Sequence, residues 1–359
     1  MACCPPRVSV LMTTFNGAAY LRESIDSVLA QDFTDFEFII VDDGSTDATP
    51  AILATYNDPR LRILRTPRNL GVVGARNFGF ATARGTYLAA LDHDDVSTPA
   101  RLGTQCAYLD AHPQVVLAAS EIRVIEDGRL RTEHHARGGD PVLMRWMLHV
   151  DNPLTWSSVM VRLEAIRRLG AFMDAEFQYS DDFDLYHRLL ALGDIARLET
   201  PLTHFRLHGA SASHIARGAL IESAARIFER AYKPWFGEDA ARAGALAARH
   251  FSGRRRPPDL AALRAAGDVL ERVLAGFCQA HPLDPAARRA IESHAGCLWW
   301  RLARATLRAG SPAALRDYRG HPALLGEWRA GPRDIAQSLL IGALRRPRLT
   351  RALLSWMRG

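Results

Sequence analysis

Short apolar runs alternate with segments of helical spacing through the first half of the chain. Four such runs predict buried strands, at residues 8–14, 36–41, 61–64 and 87–91. The intervening segments place apolar residues on one helical face, at residues 17–31, 46–56 and 72–83. This alternation predicts an α/β fold, in which helices cover both faces of a mostly parallel central sheet.

The pattern changes near residue 216. The remainder is rich in Ala, Leu and Arg, has helical spacing, and is broken by prolines. We therefore predict an α/β domain over residues 1–215 and an all-α C-terminal region over residues 216–359. A polar residue followed by proline is typical of a helix start, which predicts helices beginning at Thr98-Pro99, Asp284-Pro285 and Ser311-Pro312.

Charge is distributed unevenly between these two parts. Residues 1–215 hold 20 arginines against 27 Asp and Glu, whereas residues 216–359 hold 25 Lys and Arg against 12 acids. The five cysteines show no metal-binding spacing, so neither a disulfide framework nor a zinc site is expected. No apolar stretch has the length of a membrane span, and the N-terminus lacks the apolar segment of a signal peptide. These features favour a cytoplasmic protein.

Polar clusters follow three of the predicted strands. They are Thr13-Thr14-Phe15-Asn16, Asp42-Asp43-Gly44-Ser45 and Asp92-His93-Asp94-Asp95. A single cluster of this kind is more often a turn or a helix cap. Parallel strands, however, end at one edge of a sheet, where ligands of such sheets bind. Three clusters there predict carboxylates crowded around one crevice, which a cation or a binding partner would have to offset.

In their order and spacing, these segments resemble the family 2 glycosyltransferases of the GT-A fold. Further matching segments are Asn69-Leu70-Gly71, Ala75-Arg76-Asn77, Asp181-Asp182-Phe183-Asp184-Leu185 and Arg206-Leu207-His208. The resemblance covers residues 7–215. It implies an inverting enzyme that moves a sugar from a nucleotide-sugar donor, expected to be a UDP-sugar, to an acceptor hydroxyl. Thymine and guanine remain alternative donor bases.

The resemblance also implies a divalent metal ion, Mn²⁺ or Mg²⁺. Asp94 matches the metal-binding Asp of the family, and Asp92 matches the carboxylate that faces the ribose or the metal. Asp95 is expected to orient the acceptor or the water around the ion. His208 matches a histidine that completes the metal site in some relatives, although a purely structural histidine is equally compatible with the sequence.

Other matching positions imply contacts with the donor. Thr13, Phe15 and Asn16 lie on the donor side, with Phe15 near the nucleobase or, alternatively, in the core. Asp43 matches a residue that accepts a hydrogen bond from the base. Arg76 matches an arginine that contacts the base or a phosphate.

The acceptor side centres on Asp182, which is the expected general base. Direct displacement at the anomeric carbon requires a carboxylate that takes the acceptor's proton. Asp181 stands where relatives usually have Glu, and both acids also suit the first turn of a helix capped by Ser180. Arg206 is expected to reach the diphosphate or to pair with an acid.

Two tryptophans, Trp146 and Trp156, lie where the family builds its acceptor pocket. Burial in the core is the favoured alternative for each. Basic and apolar residues alternate near the C-terminus, around Arg345-Arg346-Pro347-Arg348 and Trp356. This end could contact anionic lipid at the cytoplasmic face of a membrane, and a solvated arginine face is the favoured alternative.

Several other functions are less compatible with the sequence. Nucleic-acid binding is not expected because the positive charge is spread over many helices. A nucleotidyltransferase would carry a Gly-rich basic loop after the first strand, and a Rossmann dehydrogenase would carry a GxGxxG motif there. The sequence has neither motif at that position. A non-catalytic protein that binds nucleotide-sugar or acts as a scaffold through its helices remains the alternative. The expected acceptor is a cell-surface polysaccharide, another glycan or a lipid-linked glycan, and no oligomeric state is predicted.

Overall fold

A computed structural model of the chain describes residues 5–131, 139–209 and 217–344. The described residues form two compact units, one within residues 5–148 and 152–223 and the other within residues 149–151 and 224–344. The first unit contains a sheet with helices, and the second is helical. The predicted fold class, an α/β sheet domain followed by an all-α region, is therefore confirmed.

Nine strands form one mixed sheet in the first unit. They are β1 (Val8–Thr14), β2 (Phe36–Asp42), β3 (Leu61–Arg65), β4 (Tyr87–Ala90), β5 (Val96–Ser97), β6 (Val115–Glu126), β7 (Arg129–Arg131), β8 (Met160–Arg162) and β9 (Asp194–Leu207). Their spatial order is β3-β2-β1-β4-β8-β6-β9-β5, and β7 pairs with β6. All four strands predicted from the sequence are present.

The half of the sheet from β3 to β4 is parallel, because β1 pairs in parallel with both β2 and β4. In this register Thr14 lies opposite Asp42, so the first two polar clusters end side by side. Beyond β4 the sheet becomes mixed: β8 runs antiparallel to β4 and β6, whereas β6 and β9 are parallel. The long strand β9 brings the segment that ends at Leu207 back beside β5.

Among the described residues, seven α-helices accompany the sheet. They are α1 (Leu21–Leu29), α2 (Thr49–Leu53), α3 (Gly71–Phe80), α4 (Arg101–Ala111), α5 (Pro141–Leu148), α6 (Leu163–Arg168) and α7 (Asp181–Leu189). The strand residues of β1, β2 and β4 are buried almost without exception, as expected for strands covered on both faces. Leu21, Ile25 and Val28 of α1 pack into the same core.

In the first unit, two of the predicted helices begin later than predicted. The helix after Thr98-Pro99 begins only at Arg101, because the Thr98 carbonyl accepts a hydrogen bond from Arg101 N and forms a turn. The predicted helix at residues 46–56 shortens to α2, because the Asp47 carboxylate accepts hydrogen bonds from Thr49 N and Ala18 N instead of continuing a helix. Local side-chain hydrogen bonds of Asp commonly compete with helix formation in this way.

The second unit consists of helices. They are α8 (Arg217–Phe236, which begins in the first unit), α9 (Ala240–Leu246), a π-helical turn (Ala247–Ser252), α10 (Leu260–Ala280), α11 (Pro285–Arg308), α12 (Ala314–Arg319) and α13 (Pro332–Leu344). Asp284 caps α11 as predicted, since its carboxylate accepts from Ala286 N and Ala287 N. The predicted start at Ser311-Pro312 is wrong, because α12 begins at Ala314. Over the described parts of the chain, every helix is too short or too polar to cross a membrane.

Candidate active site

The turn after β1 displays an aromatic ring. Asn16 has a left-handed backbone with φ 52°, a conformation that Asn tolerates better than most residues. Its side-chain oxygen accepts from Thr46 N at 2.9 Å, and its own N–H donates to Ser45 Oγ at 2.9 Å. Asn16 thus joins the ends of β1 and β2, and Phe15 beside it is 46% exposed. Burial of Phe15 in the core, the alternative from the sequence, is excluded.

Asp43 is buried and anchors the segment that leads into α3. Its carboxylate accepts from Leu70 N at 2.9 and 3.1 Å and from Thr66 Oγ1 at 2.8 Å. The next residue, Gly44, has φ +77°, and a Cβ there would lie 3.2 Å from Asn69 N. Only glycine fits this position without strain. Thr13 lies half-buried inside β1, opposite Val41.

Three aspartates converge after β4. One carboxylate oxygen from each of Asp92, Asp94 and Asp95 lies within 4.8 Å of the others. Burial, and then the charge of Asp94, raises the pKa of Asp92, and Arg76 partly offsets this effect. Burial followed by the charges of Asp94 and Asp92 also raises the pKa of Asp95. Three carboxylates therefore share a site in which their charges are poorly compensated.

The contacts of these aspartates differ. Asp94 Oδ2 lies 2.8 Å from His208 Nε2, which places the predicted histidine at the cluster. Asp95 is fully buried and its Oδ1 accepts from Arg206 N at 2.8 Å, whereas its Oδ2 has no hydrogen-bond partner among the described residues. An orphaned carboxylate oxygen in an acidic cluster matches the oxygen-rich donor set that Mg²⁺ and Mn²⁺ prefer. The residues thus fit a divalent cation.

Arg206 pairs with an acid that the sequence did not single out. Its guanidinium donates to Glu23 at 2.6 Å and to the Asp94 carbonyl at 2.8 Å, and it lies 4.7 Å from the ring centre of Tyr20. The Tyr20 ring in turn lies 4.9 Å from the His208 ring. These contacts fasten the end of β9 to α1 beside the aspartate cluster. Neither Glu23 nor Tyr20 differs in the sequence from ordinary residues of an amphipathic helix.

The Arg76 side chain is buried and paired with two aspartates, so it is not displayed at the surface of the site. It is only 7% exposed and donates to Asp181 at 2.7 Å and to Asp92 at 3.1 Å. Its guanidinium lies 4.6 Å from the ring centre of Trp156, which is itself 6% exposed. Although burial lowers it, the pKa of Arg76 is raised by Asp181 and Asp92. Trp146 is fully buried, so both tryptophans occupy core positions, as the favoured alternative predicted.

Asp182 begins α7 together with Asp181. Asp181 is buried against Arg76, whereas Asp182 is only partly buried. Burial, and then the charge of Asp181, raises the pKa of Asp182 to about 7, against a smaller opposing effect of Arg76. Asp182 Oδ1 accepts from Phe183 N at 2.7 Å, and Oδ2 accepts from Asn152 Nδ2 at 3.4 Å. A carboxyl group that titrates near neutral pH is suited to proton transfer.

Ser180 precedes α7 as predicted, but its side chain does not cap the helix. Its hydroxyl donates to the Leu220 carbonyl at 3.3 Å. Two further polar side chains at the site were missed from the sequence: Asn152, which contacts Asp182, and Ser157, whose Oγ accepts from Asp92 N at 3.0 Å. Asn152 lies in an irregular segment and Ser157 in a short 3-10 helix (Trp156–Ser158), and both are far along the chain from their partners, where no local pattern marks them.

Comparison with known proteins is consistent with this arrangement. Residues 9–170 match the family model described as Glycosyl transferase family 2. EpsE of Bacillus subtilis (strain 168) is 31% identical over 52% of this chain and 68% of its own length. The succinoglycan biosynthesis protein ExoO of Rhizobium meliloti (strain 1021) is 40% identical over 34% of this chain and 36% of its own length.

A solved structure shares the fold. The structure of S. aureus TarS 1-349 in complex with UDP-GlcNAc superimposes with a TM-score of 0.53 at 16% sequence identity, and the match covers 94% of this chain and 91% of that one. At this identity the likeness concerns the fold alone.

Proposed function

The chain belongs to glycosyltransferase family 2, and we propose that it transfers a sugar from a UDP-sugar to an acceptor hydroxyl with inversion at the anomeric carbon. The observation that carries this proposal is the pairing of two groups at one site: a carboxyl group that titrates near pH 7, Asp182, and an acidic cluster suited to a cation. The complex of TarS with UDP-GlcNAc supports the choice of a uridine nucleotide.

Asp92 and Asp94, with His208 beside them, would hold Mn²⁺ or Mg²⁺. When bound, the ion supplies positive charge that stabilises the departing nucleoside diphosphate. His208 Nε2 and Asp94 Oδ2 contact each other across 2.8 Å, so both already point to the same place. Asp95 is proposed to stabilise this cluster, because its buried carboxylate accepts a hydrogen bond from the backbone N–H of Arg206.

In the proposed chemical step, Asp182 accepts the proton of the acceptor hydroxyl. As the acceptor oxygen bonds to the anomeric carbon, the bond from that carbon to the diphosphate oxygen breaks on the opposite face, which inverts the configuration. Asp182 takes the acceptor's hydroxyl proton and afterwards releases it to water. The Phe183 N–H and the Asn152 amide orient the Asp182 carboxylate for this transfer. Asp181, held by Arg76, adjoins it on the acceptor side.

The donor would lie along the ends of β1 and β2. The exposed ring of Phe15 offers a face for the base. Thr13 and Asn16 shape the turn that carries this ring, and Asp43 is proposed to accept from the base. Arg76 acts on the donor through Asp92, to which it donates, and Arg206 acts through the Asp94 carbonyl.

The proposed setting is the synthesis of a cell-surface polysaccharide or glycoconjugate, which the similarity to ExoO supports. A lipid-linked acceptor would bring the enzyme to the cytoplasmic face of a membrane. The basic residues proposed to contact lipid there, from Arg345 onward, lie outside the described residues.

The decisive experiment measures nucleoside diphosphate release from UDP-, dTDP- and GDP-sugars with Mn²⁺, Mg²⁺ or EDTA. We expect release from one donor class, dependent on metal and lost in Asp94→Ala. Asp182→Ala should keep donor binding, followed by thermal shift, but lose turnover. Asp127→Asn serves as the matched control, because Asp127 is an exposed residue of the turn between β6 and β7. Metal-independent release, or full turnover by Asp182→Ala, would contradict the proposal.

A further inference from the structure

A tight turn leads directly into α7 and the proposed base. Residues 177–180 form it: Ser180 N donates to the Phe177 carbonyl at 2.8 Å, Gln178 has φ −49° and ψ 133°, and Tyr179 has φ 68°. These angles are those of a type II turn, whose third position requires a positive φ and is normally Gly or Asn. A tyrosine at this position is unusual.

The surrounding structure holds Tyr179 in this conformation from both sides. Ser223 Oγ donates to the Gln178 carbonyl at 3.2 Å, and Ser180 Oγ donates to the Leu220 carbonyl at 3.3 Å. Non-glycine residues with left-handed backbones are strained, and such strain concentrates at functional sites. A glycine would relieve it, so the tyrosine side chain offers no advantage to the turn itself.

The side chain is displayed to solvent. Tyr179 is 36% exposed, and within the described ranges its side chain makes no hydrogen bond, ion pair or ring contact. The Cα atoms of Tyr179 and Asp182 are at most about 11 Å apart, because three peptide units separate them. The tryptophan expected to serve the acceptor, Trp156, is buried beneath the guanidinium of Arg76. Tyr179 is therefore an exposed aromatic residue on the segment that carries Asp182.

We propose that Tyr179 is a specificity-determining residue whose ring forms a platform for a pyranose ring of the acceptor glycan beside Asp182. An aromatic face covers the apolar C–H face of a sugar, and the phenol hydroxyl can hydrogen-bond to its rim. The acceptor hydroxyl must reach Asp182, so the sugar that carries it lies within reach of Tyr179. This inference rests on the proposed function, since it takes Asp182 as the base.

Binding is measured first, because it needs no turnover. Saturation-transfer difference NMR would follow the methyl glycosides of glucose, galactose, mannose and N-acetylglucosamine on the protein with UDP and Mg²⁺ present. We expect transfer to the ring protons of at least one glycoside on the wild type, retained in Tyr179→Phe and lost in Tyr179→Ala. Leu130→Ala, which removes an exposed apolar side chain from β7, should keep the signal. Equal signals in wild type and Tyr179→Ala, or no signal for any glycoside, would overturn the platform.

A glycine variant separates the ring from the backbone. Tyr179→Gly should share the binding loss of Tyr179→Ala, yet melt about 2 °C higher than that variant, since glycine adopts the turn without strain. Retained sugar binding in both variants would show that the ring does not have the assigned role. Equal melting temperatures of the two variants would show that the turn is not strained as assigned.

Turnover then distinguishes this inference from the proposed function. Tyr179→Ala should raise the KM for the bound glycoside at least about fivefold, which corresponds to about 1 kcal/mol, while the KM for the donor changes less than twofold. An equal rise of both KM values overturns the acceptor assignment. A wild type that binds a glycoside but releases no UDP from any donor overturns the proposed function and leaves the binding result to decide the role of Tyr179.

Discussion

Replacing Asp182 by Asn should stabilise the protein while abolishing transfer. The pKa of Asp182 is raised from the ordinary value of 3.8 to about 7, chiefly by burial and then by the charge of Asp181. A raised pKa means that the folded state binds this proton more tightly than the unfolded chain. Stability is therefore lost as pH rises from about 4, and the loss is complete above about pH 7.

The size of the pKa shift of Asp182 sets the expected change in the free energy of unfolding. A difference of about three pH units corresponds to roughly 4 kcal/mol, because each unit is worth about 1.4 kcal/mol. Asn keeps the hydrogen bond from Phe183 N through its side-chain oxygen and removes the like charge beside Asp181. At pH 8 the variant should gain up to about 4 kcal/mol in the free energy of unfolding, and at pH 5 less than half of that.

Two measurements check this reasoning. Urea unfolding of wild type and Asp182→Asn at pH 5 and pH 8 gives the stability difference at each pH, with Asp127→Asn as a control expected to show none of the pH dependence. The pH profile of wild-type kcat/KM should fall about tenfold per unit below pH 7, because only the ionised base accepts the proton. A flat profile from pH 5.5 to 8, or a stability difference independent of pH, would refute the raised pKa as the basis of catalysis.

Three further substitutions test other contacts of the candidate site. Arg76→Gln should lower the free energy of unfolding by about 3–5 kcal/mol, because it leaves the carboxylates of Asp181 and Asp92 without their shared cation; a loss below 1 kcal/mol in urea unfolding would contradict the buried bridge. Gly44→Ala should cost roughly 1–2 kcal/mol, since Gly44 has φ +77°; an unchanged melting temperature would speak against this. Phe15→Ala should weaken UDP binding about tenfold by calorimetry without lowering the melting temperature, since the ring is exposed; unchanged affinity would remove Phe15 from the donor site.

The sequence was most informative where its signals are local. The buried strands before Asn16, Asp43 and Asp92 follow from continuous apolar runs, and their parallel pairing brings the polar ends of β1 and β2 side by side. The order of the motifs added the position of Asp182 at the start of a helix. These features depend on a few neighbouring residues, which is why pattern and resemblance could predict them.

Contacts across the chain were not predictable in the same way. Arg76 and Asp181 are 105 residues apart, and their ion pair depends on how α3 and α7 pack against the sheet. Thr98 failed as a helix cap because its carbonyl forms a turn, an outcome that composition alone does not distinguish. Tyr179 occupies a turn position that favours glycine, so turn rules would have placed this turn elsewhere.

The hydrogen bonds of Asp43 bear on how donor choice could be redesigned. Its carboxylate accepts hydrogen bonds from Leu70 N and Thr66 Oγ1, so replacing this proposed base contact to admit another nucleobase would also release the segment before α3. Phe15 supports no such segment, because its ring is exposed on a turn that Asn16 holds. Libraries that aim at a new donor should therefore vary Phe15 first and leave Asp43 unchanged.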